Sequence, residues 1–272
     1  MLSSKLKYEI LGKRAALAPV VAAVVLMASP AFGQGRGAAQ AGPPPSPKDA
    51  APMDLTGYWV SIVTEDWRYR MVTPAKGDYA SVPLNPEGRK VADTWDPAKD
   101  EGAGNQCRSY GAAAIMRVPG RLHITWDDDH TLKIETDAGT QTRLLHFGPG
   151  QAPSGEPTWQ GFSAALWDVP PAGRGGGAAA PVRPGQPRGG TLKVLTTHMR
   201  PGYLRKNGVP YSGNATVTEY FDRTNEPNGD SWLIVTTIVN DPQYLQQEFI
   251  TSTHFKKQAD ATGWAPMPCE AR

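Results

Sequence analysis

Cysteine is nearly absent: the 272 residues hold only Cys107 and Cys269, and no Cys-x-x-Cys pair occurs. That removes thiolate metal clusters and dithiol redox motifs, which need closely spaced cysteines. Long apolar runs are missing too. The longest, residues 15–28, falls short of the roughly 20 residues a membrane helix needs. It lies between a basic start (Lys5, Lys7, Lys13, Arg14) and a small-x-small site, Ala31-Phe32-Gly33. Residues 1–33 therefore read as a cleaved export signal, with a mature chain starting at Gln34, no membrane span after processing and a periplasmic or secreted location. In such a compartment the two cysteines invite one disulfide. Loop-closure entropy makes a bond across roughly 160 residues worth about 5 kcal/mol at most.

Neither sign of charge is in excess. The whole chain carries 28 basic and 26 acidic residues. Taking away Lys5, Lys7, Lys13, Arg14 and Glu9 leaves 24 against 25, a formal charge of −1. A near-neutral chain without a basic cluster gives no footing for nucleic-acid binding. Catalytic signatures are absent as well: no His-Glu-x-x-His, no Gly-x-Ser-x-Gly, no Gly-rich phosphate loop and no dinucleotide fingerprint. Gly161-Phe162-Ser163-Ala164-Ala165 starts like a nucleophile elbow but lacks the closing glycine and a following helix pattern, so Ser163 reads as a strand residue. No cofactor or metal is expected from these motifs.

What is present is mostly short strands. Residues 58–63, 121–126, 131–136, 140–147, 191–199, 214–221, 232–239 and 249–255 are rich in β-branched and aromatic side chains, with Asp137-Ala138-Gly139 and Asn228-Gly229 as turns. One helix is signalled: Asn85 caps it, Pro86 takes its first position, Val91, Ala92 and Trp95 form a stripe, and Pro97 stops it. Residues 34–53 have no apolar periodicity and read as a disordered tether. Residues 170–190, rich in Gly, Pro and Ala, read as a flexible loop within a single β-rich domain spanning 54–272. In the 121–136 hairpin, a three-residue loop at Asp127-Asp128-Asp129 sets Ile124 against Leu132 and Leu122 against Ile134, with His123 on the polar face.

Many antiparallel strands and one short helix mean an antiparallel β-barrel or a sandwich. Gly57-Tyr58-Trp59 resembles the opening strand of lipocalin-type barrels, and that resemblance implies a tryptophan closing one barrel end. A second resemblance rests on Pro157-Thr158-Trp159-Gln160-Gly161-Phe162-Ser163, Thr218-Glu219-Tyr220-Phe221 and Asp241-Pro242-Gln243-Tyr244. These are similar to a widespread group of exported, β-rich bacterial proteins without a settled activity. The likeness implies location, architecture and interest in Glu219. Members often carry Gly-His-Ser where this chain has Gly161-Phe162-Ser163, so no role of that histidine passes to position 162.

Candidate site residues follow from strand alternation. Glu219 shares a face with Ala215, Val217 and Phe221, and a carboxylate among apolar neighbours is how a general acid or base working near neutral pH is built. The same placement accommodates a structural ion pair with Arg143 or Arg200. His198 shares a face with Leu192, Val194 and Thr196, while His146 is ambiguous beside Leu145 and Phe147. Together the three would suit proton transfer or a two-His, one-carboxylate metal site. The stretch 200–214, with Arg200, Tyr203, Arg205, Lys206 and Tyr211, and the cluster Trp67-Arg68-Tyr69-Arg70 supply material for an aromatic and cationic pocket for an apolar or weakly acidic small molecule. The leading expectation is an exported barrel that binds a small, mostly apolar molecule. Two alternatives stand: a cofactor-independent lyase, isomerase or hydratase using Glu219 with a histidine, and an accessory subunit of an exported oxidoreductase system.

Overall fold

A computed structural model describes residues 43–149, 153–169 and 189–272. The expected export signal and nearly all of the 170–190 loop lie outside the described residues. Nine strands close into a barrel: β1 (Gly57–Ile62), β2 (Arg121–Trp126), β3 (Thr131–Thr136), β4 (Gln141–Phe147), β5 (Phe162–Asp168), β6 (Thr191–Thr197), β9 (Thr216–Asn225), β10 (Ser231–Asn240) and β11 (Phe249–Gln258), with β1 pairing both β11 and β2. Between β6 and β9 in the chain, β7 (Gly202–Arg205) and β8 (Val209–Tyr211) form a separate hairpin. Strand direction cannot alternate around a ring of odd number, so one pair has to run parallel. That pair is β4 and β5. In strand count and in this pair the ring departs from the eight-stranded antiparallel lipocalin pattern.

Alternation sorts side chains cleanly. On β10, Leu233, Val235, Thr237 and Val239 point inward while their neighbours are partly exposed. The interior is filled in two apolar layers. One holds Trp59, Ile124, Ile134, Leu145, Phe221 and Phe255; the other holds Val217, Val239 and Phe249 with the cap residues Leu204 and Tyr211. Burying each large apolar side chain is worth about 1.5–3 kcal/mol. Between the layers lies a polar belt of Arg143, Ser163, Thr196, Glu219 and Thr237, all buried.

Trp59 is fully buried at one barrel end, where its indole N–H donates to the Leu55 carbonyl at 2.9 Å. Met53 and Leu55 pack beside it. Residues 43–53, read from composition as the end of a tether, instead lie against the barrel: Met53 is buried and the Pro47 carbonyl accepts from the Trp167 indole at 2.8 Å. Pro43 to Pro47 gives no periodicity to read, yet a single apolar anchor at Met53 suffices to seat the strand entry.

The opposite end is capped by the long excursion between β1 and β2 and by the β7–β8 hairpin. Within the excursion, α1 (Trp67–Arg70), α2 (Pro86–Ala92) and α3 (Pro97–Gly102) are short. Asn85 caps α2 as expected, accepting from the Gly88 N–H at 2.8 Å. Pro97, expected to end that helix, opens the next one, with Asp96 accepting from the Ala98 and Lys99 N–H groups. The 121–136 hairpin also differs from expectation. Trp126 pairs with Leu132 and Ile124 with Ile134, with residues 127–131 between the last paired positions. Asp128 explains the longer loop: its carboxylate accepts from the His130 N–H at 2.7 Å and from the Thr131 hydroxyl at 3.2 Å. The shift is two residues, so every side chain keeps its face.

Candidate functional site

Glu219 and Arg143 are both fully buried and clamp each other, with Nη1 to Oε1 at 3.1 Å and Nη2 to Oε2 at 2.6 Å. Arg143 also donates to the Thr196 hydroxyl at 3.3 Å, which lies 2.7 Å from Ser163 Oγ. The structural ion pair is therefore the arrangement adopted. The two histidines lie elsewhere. His146 is on the outer face of β4, its ring stacked 5.2 Å from Phe162. His198 follows the last residue of β6, and its left-handed backbone (φ 58°) breaks the alternation that would have turned it inward; Met199 is buried instead. His198 Nε2 meets the Gly155 carbonyl at 2.9 Å. His146 and His198 do share an open pocket of about 290 Å³ with Glu156, outside the barrel and apart from Glu219. Among the described residues no group of three metal-ligating side chains is assembled.

The expected ligand-contact residues scatter. Trp67 is 64% exposed on α1. Arg200 stacks on Trp159 at 4.1 Å. The Tyr203 hydroxyl donates to Asp100 at 2.8 Å and accepts from Arg108 at 2.9 Å; burial and the Asp100 bond hold it protonated well above the ordinary tyrosine range. Burial does the same to Tyr211. None of these lines the cleft described next, although their neighbours do.

That cleft lies in the cap. Residues around α1, the turn Ile115–Arg117 and the hairpin β7–β8 converge on a recess of about 30 Å³ lined by Tyr69, Arg70, Ser109, Arg117, Arg205 and Lys206, among others. It shares Arg70, Val118, Pro119 and Lys206 with an open groove of about 430 Å³. The groove's far wall is the C-terminal tail, at Ala265, Met267, Pro268 and Glu270. Three attachments hold that wall: Met267 N–H to the Asp137 carbonyl at 2.8 Å, the Thr140 hydroxyl to the Met267 carbonyl at 2.9 Å, and the Cys107–Cys269 disulfide.

Local backbone explains how the arginines arrive. A bulge between Tyr203 and Arg205 shifts the β7–β8 register, so Leu204 and Arg205 are both buried where simple alternation would expose one. Arg70 ends α1, where it pairs with Glu65 and donates to the Arg117 carbonyl at 2.9 Å and Ser61 Oγ at 3.2 Å. Arg117 Nη2 donates to Asp66 at 3.0 Å, and Asp66 itself is a left-handed residue (φ 50°) at the start of α1. Burial pulls the Arg70 and Arg205 guanidiniums below their ordinary values, and the Arg117 charge pulls both further. Glu65 and Asp66 oppose this for Arg70, and Asp66 does so for Arg205.

Arg70 and Arg205 come from the two segments whose aromatic and cationic character is visible in the sequence. Arg117 is the addition sequence reasoning missed. Its signal was the lone charge in Gly111-Ala-Ala-Ala-Ile-Met-Arg117-Val-Pro119, an apolar run that buries whatever charge it carries. Compared with family models, curated proteins and solved structures, the chain matches none of them, so its function has to be argued from this geometry.

Proposed function

We propose that this chain is an exported β-barrel that binds a small, mostly apolar molecule in the cleft of its cap, and not in the barrel interior. The interior is packed with side chains along its length, with Trp59, Arg143, Phe221 and Phe255 all fully buried, which supports the cap over the barrel as the place for a ligand. The observation that carries the reading is the convergence of four separate chain segments on one cleft: α1, the Ile115–Arg117 turn, β7–β8 and the disulfide-tied tail. Clefts with an apolar lining and a few convergent polar groups are where small ligands bind. Export is supported by the character of residues 1–33 and agrees with the disulfide. Nothing in the geometry favours the enzyme alternative, because Glu219 and the histidines stand on opposite sides of the sheet.

The test is a titration with uncharged N-phenyl-1-naphthylamine, whose fluorescence rises in apolar sites. Saturable enhancement is expected, together with its loss in A265W, which fills the groove from an exposed position and leaves the core untouched. Enhancement that never saturates, or that A265W leaves intact, would reject the cleft as the binding site.

A further inference from the structure

Resting on that binding reading, we infer that the narrow recess of the cleft is a carboxylate site, so that the ligand is an amphipathic monocarboxylic acid with its head on Arg205 and Arg117 and its apolar body along the groove. The evidence is the state of the guanidinium donors. Arg205 is anchored through Nη1, which donates to the Ala80 carbonyl at 2.6 Å, and its face stacks on Tyr69 with Cζ 4.2 Å from the ring centroid. Stacking occupies the face and leaves the edge. Its Nε and Nη2 are both buried and have no acceptor among the described residues, and neither does Arg117 Nη1. Nε and Nη2 form the fork edge of a guanidinium, the edge that matches the two oxygens of a carboxylate. A buried donor without an acceptor costs about 1–3 kcal/mol, more when charged, so three on two residues that line the recess need an account.

Charge tells the same story. Arg70, Arg117, Arg205 and Lys206 bring four cations to the recess. Glu65 pairs with Arg70 and Asp66 with Arg117, but Glu65 is shared with His254 at 3.0 Å; Asp78, which also acts on Arg205, is paired with Arg68 at 2.7 Å, and Lys206 reaches the Arg272 carbonyl oxygen at 3.4 Å. An arriving anion meets a site with an excess of positive charge whose Arg205 and Arg117 are buried, where charge-assisted hydrogen bonds are strongest. Size decides which anion. About 30 Å³ corresponds to roughly two water molecules on the measure by which one needs 10–15 Å³. The two oxygens of a carboxylate match that space better than the three terminal oxygens of a phosphate monoester.

A head-group series on the unmodified protein tests this without any substitution. Octanoate, octanol and octyl phosphate are compared for displacement of N-phenyl-1-naphthylamine. Octanoate is expected to displace it at least tenfold more strongly than octanol, with octyl phosphate weaker than octanoate. Equal potency of octanoate and octanol would overturn the carboxylate assignment while leaving the cleft as a binding site; stronger displacement by octyl phosphate would overturn the choice of carboxylate. Absence of any naphthylamine binding would instead overturn the underlying reading. R205K keeps the charge and removes the fork, and it is expected to weaken octanoate at least fivefold while octanol is unchanged. R117K, which keeps the Asp66 partner within reach of a cation, is expected to act the same way to a smaller degree. An equal loss for both ligands in both variants would refute the role given to the donors.

Discussion

Removing the charge on Glu219 separates a structural ion pair from a working carboxylate. In E219Q the carboxamide keeps the shape of the side chain, but its NH₂ group faces an Arg143 N–H, and the guanidinium charge is left in the middle of the barrel with no exposure to water. Breaking a buried pair from one side costs about 3–5 kcal/mol. Against a domain stability of about 5–15 kcal/mol that is a fifth or more of the total. With a urea m-value near 3 kcal/mol/M, the upper part of the usual range, the midpoint should fall by about 1–2 M. Tryptophan fluorescence reports it, since the chain carries eight tryptophans. The double variant R143M/E219L removes both charges and fills the space with apolar groups. It should come within about 1 kcal/mol of the original or exceed it, the more so because it removes Arg143 Nε, which already lacks an acceptor among the described residues. It should also bind N-phenyl-1-naphthylamine unchanged. An E219Q shift under about 1 kcal/mol, or a folded double variant that no longer binds the probe, would refute the structural assignment.

Two further outcomes follow from the same contacts. Replacing Cys107 and Cys269 by serine removes a link across 162 residues, and loop-closure entropy puts the stability loss at up to about 5 kcal/mol. Because Cys269 ties down the groove wall, probe affinity should drop under mild reduction before global unfolding, and parallel loss of both signals would contradict that order. Acid should act through Asp54. Burial raises its carboxyl, but the Thr56 hydroxyl and N–H and the charges of Lys257 and Arg223 outweigh this and hold it below the ordinary value. A carboxyl depressed in the folded state gives stability that is present above the unfolded value near 3.9 and lost as pH falls toward the folded one. D54N should therefore be less stable than the original protein at pH 7, with the gap narrowing as pH falls below the unfolded value, measured by urea unfolding at each pH; a constant gap would exclude the linkage.

How much of this was legible depends on which rule each residue obeys. Leu122, Ile124, Leu132 and Ile134 follow strand alternation, so their faces could be read without knowing the loop, and a two-residue error in register changed nothing about the core. The loop itself turned on one side chain, Asp128, whose bonds to residues 130 and 131 are local chemistry that periodicity does not register. β7–β8 read as an irregular loop because its bulge buries all four residues of β7, where a strand signal needs every second one polar. His198 failed for a related reason: alternation was carried one residue past the strand end, into a left-handed backbone. The site was half legible. The segments holding Arg70 and Arg205 stood out by composition, but their meeting depends on two excursions from distant strands folding over the same barrel end.

That convergence also bears on why the barrel is full. A ring of nine strands with a ligand inside would need a wide, dry cavity, and every apolar side chain pointing inward here instead fills it, down to the Arg143–Glu219 clamp that cross-links β4 to β9. A filled barrel is rigid, and rigid scaffolds place loops accurately. The price of building the site on the cap is that each wall belongs to a different chain segment, held by few bonds: α1 through Asp66 and Arg117, the hairpin through Arg205 and Ala80, the tail through Met267 and the disulfide. An anion on Arg205 and Arg117 would join two of those walls directly. Ligand binding should thus tighten the cap far more than the barrel. Amide exchange in residues 66–72 and 202–206 should slow on adding octanoate while β9 and β10 stay unchanged, and uniform protection across the barrel would place the ligand inside it after all.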